Sequence, residues 1–568
     1  MLTQNVTHST SNDTSNLPLI VSVTNSWDHF LKPIYSTVNF NNLITSLVVT
    51  LTGYLLIKLI PFIRMLIALK KLPQKPGNWL MGHLGDLLPP PFISNNQFGQ
   101  GLKNCVDKME KFLHENGLMV FWVSWYPIVV ITSPSILFQL TPATIEKGPG
   151  PDVARSFFGD GLVTQNSTKW KGRRKLLAPG YQQAALANYL PIVSEIARNR
   201  VNTLGNTHII DEPVDTRKFT QETGMDMTCE IALGVKGGKE GSPGWQYRKA
   251  IDVALEMLLI KSINPFYWFD FIFRFTIDGR RSKQAAEYIR SFPTSLINVK
   301  KTTHVPGSIN PKAYNPAVRF SLLDCLIDLH LQSQCDNKKF GFTTLDVLEE
   351  VNNALFAGNE TTGGTMAWTM FHLAANPDIQ DKVYQELVEN RFTAKEFIDY
   401  NEENLKSLKY LDCCVKESLR LCPPIHTITR RLDQDLITDD GQVIPKGSVL
   451  ALCIYYIHRD PKYWPEPTKY NPERFLTENS FDRPSLAYIP FGFGQRQCLG
   501  QKLAMREIKV VIAEVIRRFR LENCQSFDEI ETAFLGTYRS IESLKIKFFP
   551  RNVNQKESLK MKIESNHT

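Results

Sequence analysis

The 568-residue chain has no CxxC pair and no Cys/His cluster at zinc-ligand spacing, although it holds ten cysteines. Scattered in this way they read as reduced thiols, which argues against a disulfide-stapled scaffold and a structural zinc module. Long basic blocks and RNA-type aromatic motifs are missing, and a net charge of +8 is modest at this size. Nucleic acid is therefore not an expected partner. There is no repeat of fixed period. Basic residues are scarce at the N-terminus, where Lys32 stands alone in the first 42 positions. That leaves neither the basic n-region of a cleaved signal peptide nor an Arg-rich presequence. Otherwise 43% apolar and 21% charged residues describe an ordinary globular chain. The length prior alone would call for three or four domains.

Long apolar runs are confined to one place. Residues 43–57 carry no charge, and after Lys58 the apolar character continues to Leu69, interrupted only by Arg64. A bilayer span needs about 20 such residues, so 43–69 is expected to be a transmembrane anchor with Lys58 reaching toward an interface. Arg64, Lys70, Lys71 and Lys75 cluster at its far end, which by the positive-inside rule leaves 1–42 luminal and the remainder cytosolic. Sequons at Asn5 and Asn12 would count only in that orientation. Residues 70–77 form a basic, proline-rich hinge, 78–550 the folded domain and 551–568 a polar tail. Helical patterns dominate that domain at 182–204, 345–374 and 502–519, with strand-like runs at 118–132 and 449–456, and a polar loop at 302–316.

The most informative stretch is Phe491 to Gly500, which spells F-x-x-G-x-R-x-C-x-G. Apolar residues then recur at Ile508, Val511, Ile512, Val515, Ile516 and Phe519, a helical stripe. Cys498 thus stands just before a helix, where N–H groups and the positive helix end favour a thiolate. Gly494 and Gly500 are expected to relieve the backbone there. Arg496, two residues away, is placed to offset an anionic cofactor edge.

Other patterns lie in order along the chain. Trp170 to Arg174 is W-x-x-x-R, which puts indole and guanidinium on one helix face. Ala357-Gly358-Asn359-Glu360-Thr361-Thr362 lies in a long helical stretch. Glu417 to Arg420 is E-x-x-R at the i,i+3 spacing of one helix face, and Asn471-Pro472-Glu473-Arg474 follows about fifty residues on.

Together these resemble the cytochrome P-450 superfamily, over roughly residues 76–550. The resemblance implies a mainly α fold with a small β-rich region, preceded here by one N-terminal transmembrane helix. It implies that Cys498 ligates a heme iron, whose thiolate ligation favours O–O cleavage, and that Phe491 packs by the sulfur. Arg496, Trp170, Arg174 and Arg430 would hold heme propionates, with Arg431 as a substitute for Arg430. Glu417, Arg420 and Arg474 would form an ion-pair triad bracing the cysteine loop. Dioxygen chemistry needs protons, and Thr361 beside Glu360 would deliver them. That pair weighs against the peroxide isomerases, which need no proton delivery, and against a non-enzymatic heme binder. Phe356, Ala357, Thr427, Ile428 and Thr429 would line the substrate pocket.

Phe158-Gly159-Asp160-Gly161-Leu162 and the aromatic run 264–280 resemble the animal fatty-acid ω-hydroxylase branch. Many members of that branch carry a glutamate that esterifies the heme at the position of Ala357, so here the heme b is expected to be noncovalent. The aromatic run 266–275 reads either as a surface that dips into a bilayer or as buried core. Lys171, Arg173, Lys175, Lys502, Arg506 and Lys509 are expected to present a basic face to an acidic flavoprotein. The expectation is a monooxygenase of the endoplasmic reticulum membrane, single-pass and facing the cytosol. It would draw electrons from NADPH through NADPH-cytochrome P-450 reductase, with cytochrome b5 as a further donor, and act on a fatty acid or related lipid. A sterol or xenobiotic substrate stays open.

Overall fold

In a computed structural model of the chain, the described residues are 40–78, 82–84, 94–140, 146–148, 150–207, 212–237, 239–305, 307, 320–335, 342–393, 398–479 and 483–551. Asn5 and Asn12, most of the polar loop at 302–316 and all but Arg551 of the C-terminal tail lie outside them.

Two compact units divide the chain near residue 67. In the first, helix α1 (Phe40–Leu69) exposes Leu47, Val48, Val49, Leu51 and Ile57 along its length. Its stretch Ile44–Leu69 is long and apolar enough to cross a membrane.

The second unit is mainly helical with small sheets. Its site-building elements are β1 (Leu118–Val123), β2 (Tyr126–Ile131), α2 (Ser167–Leu177), α3 (Thr216–Leu233), α4 (Pro243–Ile263), α5 (Thr344–Ala375), α6 (Lys409–Leu421), β3 (Ile428–Arg431), β4 (Val449–Leu452), β5 (Thr532–Leu535), β6 (Thr537–Ser540) and α7 (Gln501–Arg518). One sheet runs β1–β2–β4–β3, with β2 and β4 parallel and the other pairs antiparallel.

Amphipathic period builds the core. On α7, Ile508, Val511, Ile512, Val515 and Ile516 are at most 1% exposed, and each contributes about 1.5–3 kcal/mol of burial. Helix α5 starts at a capping box, Thr343 with Asp346. It packs along α3 at close range because small residues face each other: a Cβ on Gly363 would lie 3.0 Å from the Thr220 carbonyl oxygen, and one on Gly224 would lie 3.2 Å from Asn359.

Two strand expectations change in detail. The run 118–132 is a hairpin, turned at Ser124 with φ 55°. The run 449–456 is strand only to Leu452, after which Ile454–Ile457 closes a helical turn. The aromatic run 266–275 is neither core nor surface throughout, since Tyr267 and Phe273 are buried while Phe266, Phe269, Phe271 and Phe275 are exposed.

Candidate functional site

A cavity of about 660 Å³ opens among α2, α4, α5, the β3–β4 strands and the loop before α7. Cys498 is a free cysteine whose accessible surface lines this cavity, while its thiol lies within the protein rather than in bulk solvent. Its own N–H donates to the Phe491 carbonyl at 2.9 Å, closing the loop. Burial pushes the thiol up, while the backbone N–H groups of Gly500 and Gln501 and the Arg174 cation act the other way.

The glycine expectation needs one correction. Gly492 (φ 70°) and Gly494 (φ 64°) take the left-handed conformation, but Gly500 caps α7 at an ordinary φ of −84°. Gly494 also does not line the cavity, whereas Gly500 does.

Four cations face the cavity: Lys147, Arg174, Arg430 and Arg496. The Arg496 guanidinium lies 4.1 Å from the Trp170 ring centre and donates to the Gln165 carbonyl at 2.9 Å. Arg174 lies 5.4 Å from the same ring and donates to the Gln497 carbonyl at 2.8 Å. Arg430 is buried and pushed down to about 10 by that burial, while Arg431 beside it points outward, exposed.

Lys147 carries no motif and was invisible in the sequence. An isolated β-bridge sets it against Arg430, its ammonium donates to the Val163 carbonyl, and burial with Arg430 and Arg496 depresses it to about 7. Among the described residues no carboxylate pairs with Lys147, Arg174 or Arg430. Arg430 is buried and the other three partly so, with Glu146 near Arg496; like charges gathered in this way favour an anion, and a thiol with two amides aimed at it suits a soft metal. The donor set therefore fits a heme, whose two propionates would meet the cations.

On α5, Ala357, Gly358, Glu360, Thr361, Thr362 and Thr365 line the cavity. Thr361 Oγ1 donates to the Ala357 carbonyl at 2.7 Å. Glu360 is buried, accepts from Gln221 Nε2 at 2.9 Å and lies 3.7 Å from Arg217. Burial raises its carboxyl, against the nearby Arg217. Gln221 is a second residue that no sequence signal marked. Phe356, stacked on Phe158 at 4.1 Å, lines the cavity together with Thr427, Ile428 and Thr429.

Away from the cavity, Arg420 donates to both oxygens of Glu417, at 2.7 and 2.8 Å, with both side chains fully buried. Arg474 Nε lies 3.4 Å from Glu417 Oε1, and the Asn471 N–H donates to that oxygen at 2.9 Å. None of the three lines the cavity.

The expected basic face is partly dismantled. Arg173 pairs with Asp346 and Glu350, Arg506 with Glu402, and the buried Lys509 donates to the Leu405 carbonyl and lies 3.5 Å from Asp412. Lys171, Lys175 and Lys502 remain exposed.

Residues 75–548 match a family model described as Cytochrome P450. The chain is 31% identical over 439 residues to a probable cytochrome P450 4ac1 of Drosophila melanogaster, covering 77% of this chain and 83% of that protein. It is 30% identical to cytochrome P450 4V2 of Mus musculus, covering 80% and 85% of the two chains. To the human protein named ultra-long-chain fatty acid omega-hydroxylase it is 29% identical, covering 80% and 83%.

Proposed function

The chain belongs to the cytochrome P450 family of heme-iron monooxygenases, and from that premise we propose that it inserts one oxygen atom of dioxygen into a fatty acid or related lipid. The observation that carries the reading is that Cys498, the cation group and the Glu360–Thr361 pair all open onto one cavity. The heme, held through Cys498, supplies the activation of dioxygen. Lys147, Arg174, Arg430 and Arg496 hold its propionates, and Trp170 stiffens two of these cations by stacking between α2 and the cysteine loop. Thr361 offers a hydroxyl at the cavity wall, and Glu360 holds and passes the proton.

Glu417, Arg420 and Arg474 act on the loop away from the cavity and touch no substrate. Ala357 gives no carboxylate for a covalent heme link. The cavity wall of Leu102, Phe121, Ile231, Leu255, Leu259 and Phe534 suits an apolar chain, and the relative named as a fatty-acid hydroxylase supports that class. Electrons come from NADPH through NADPH-cytochrome P-450 reductase, with cytochrome b5 as an auxiliary donor, at a face that includes Lys171, Lys175 and Lys502. Residues 43–69 anchor the enzyme in the endoplasmic reticulum membrane with 78–550 in the cytosol, and the exposed aromatics of 266–275 meet the bilayer surface.

The test reconstitutes the purified protein with that reductase and offers a mixed panel of fatty acids and sterols, locating new hydroxyls by mass spectrometry. Hydroxylated fatty acid is the expected product. Sterol products alone would overturn the substrate class.

A further inference from the structure

The Gln221 amide on α3 sits between two charged groups. Its Nε2 donates to Glu360 Oε2 at 2.9 Å, and its Oε1 accepts from Arg248 Nη1 on α4 at 2.8 Å. Gln221 and Arg248 are 6% and 8% exposed. Which way a glutamine amide points is settled by its partners. A guanidinium has donors only, so the end facing Arg248 must be the carbonyl oxygen and the end facing Glu360 must be the NH₂. Arg248 is itself held, by Asp252 Oδ2 at 3.2 Å and by the Trp245 ring centre at 4.2 Å.

We propose that Gln221 is a positioning residue for Glu360, its polarity fixed by Arg248, so that Oε2 is kept as a hydrogen-bond acceptor and the proton is taken and released at Oε1. The inference rests on the proton-handling role proposed for Glu360 and adds which oxygen works and what sets it. Oε1 faces Arg217 at 3.7 Å, and Glu360 reaches the cavity wall. The charged groups around the carboxyl are Arg217 from α3, Arg248 and Asp252 from α4 and Arg539 from β6. Burial raises the carboxyl, Asp252 adds to that, and the three arginines oppose it. The amide donor acts with the arginines, since a hydrogen bond given to the ionised form favours it. Without Arg248 the amide is free to turn, and it can then serve either protonation state equally.

This predicts a dependence of one residue's effect on the other, which a structural role would not produce. In the holoenzyme, the Glu360 carboxyl band is identified by infrared difference spectroscopy as the one lost in Glu360→Gln, and its titration midpoint is followed. Gln221→Leu should raise the midpoint by about one pH unit, tenfold in proton affinity, when Arg248 is present. The same substitution should leave the midpoint unmoved in an Arg248→Met background and raise it again in Arg248→Lys, which restores a donor. An equal shift in all three backgrounds, or none in any, would overturn the proposal. Peroxide release in Glu360→Gln is measured in parallel. If it stays at the wild-type level while the midpoints follow this pattern, the oxygen assignment is supported and the proton-handling role is refuted.

Discussion

Arg496 stacks its guanidinium 4.1 Å above the Trp170 ring centre, joining two residues that lie 326 positions apart. The contact ties the helix α2 to the loop that carries Cys498, and Arg174 approaches the same ring at 5.4 Å. A buried cation–π contact is worth about 1–2 kcal/mol. Trp170→Ala should therefore speed heme loss about tenfold, read as transfer to a heme-scavenging apoprotein, with the carbonyl spectrum of the loaded fraction unchanged.

Arg420 and Glu417 form a fully buried bidentate pair that also collects the His458, Pro467 and Lys469 carbonyls. Removing one partner strands the other, at a cost of about 3–5 kcal/mol. Glu417→Gln and Arg420→Met should each lower the apparent Tm sharply and give heme-poor protein. Arg420→Lys should rescue little, because an ammonium cannot reproduce the fork.

Lys147 is depressed to about 7 by burial, Arg430 and Arg496. A propionate beside it would return the ammonium to its charged form, so heme binding would take up a proton. Affinity should accordingly fall as pH rises above about 7. Lys147→Met should flatten that dependence, measured by heme titration of the apoprotein at pH 6.5 to 8.5.

His426, stacked on Phe534 at 4.1 Å, is held down to about 3 by burial alone. Its unfolded value is near 6.5, so the folded chain keeps it neutral while the unfolded chain takes up a proton below that value. Stability present above pH 6.5 is lost as pH falls toward 3. His426→Phe should reduce the destabilisation between pH 7 and pH 5 by about 2 kcal/mol, read from denaturant midpoints.

The helices at 345–374 and 502–519 were legible within a residue or so of their observed ends, because a buried stripe repeats at helical period whatever it packs against. The Cys498 loop was legible because its spacing is local. Lys147 was not, since only the β-bridge to Arg430 gives it a place. Gln221 was not either, as it meets Glu360 across 139 positions. Arg173 and Arg506 read as a charged face because their partners Asp346 and Glu402 stand far away in sequence. Of the two glycines expected to relieve the backbone, Gly494 takes the left-handed conformation together with Gly492, whereas Gly500 opens α7 at an ordinary φ.

Thr361 opens onto the cavity with its hydroxyl resting on the Ala357 carbonyl. Thr361→Ala should retain heme and substrate binding yet divert electrons to hydrogen peroxide, raising peroxide per NADPH severalfold. Fully coupled turnover in that variant would refute the proton role.

The most direct measurement of the central claim is turnover with the reductase and a fatty acid under isotopically labelled dioxygen, with the product weighed by mass spectrometry. The account predicts one labelled oxygen atom in each new hydroxyl, and no such product from Cys498→Ala. Unlabelled product, or product formed without the reductase, would contradict it.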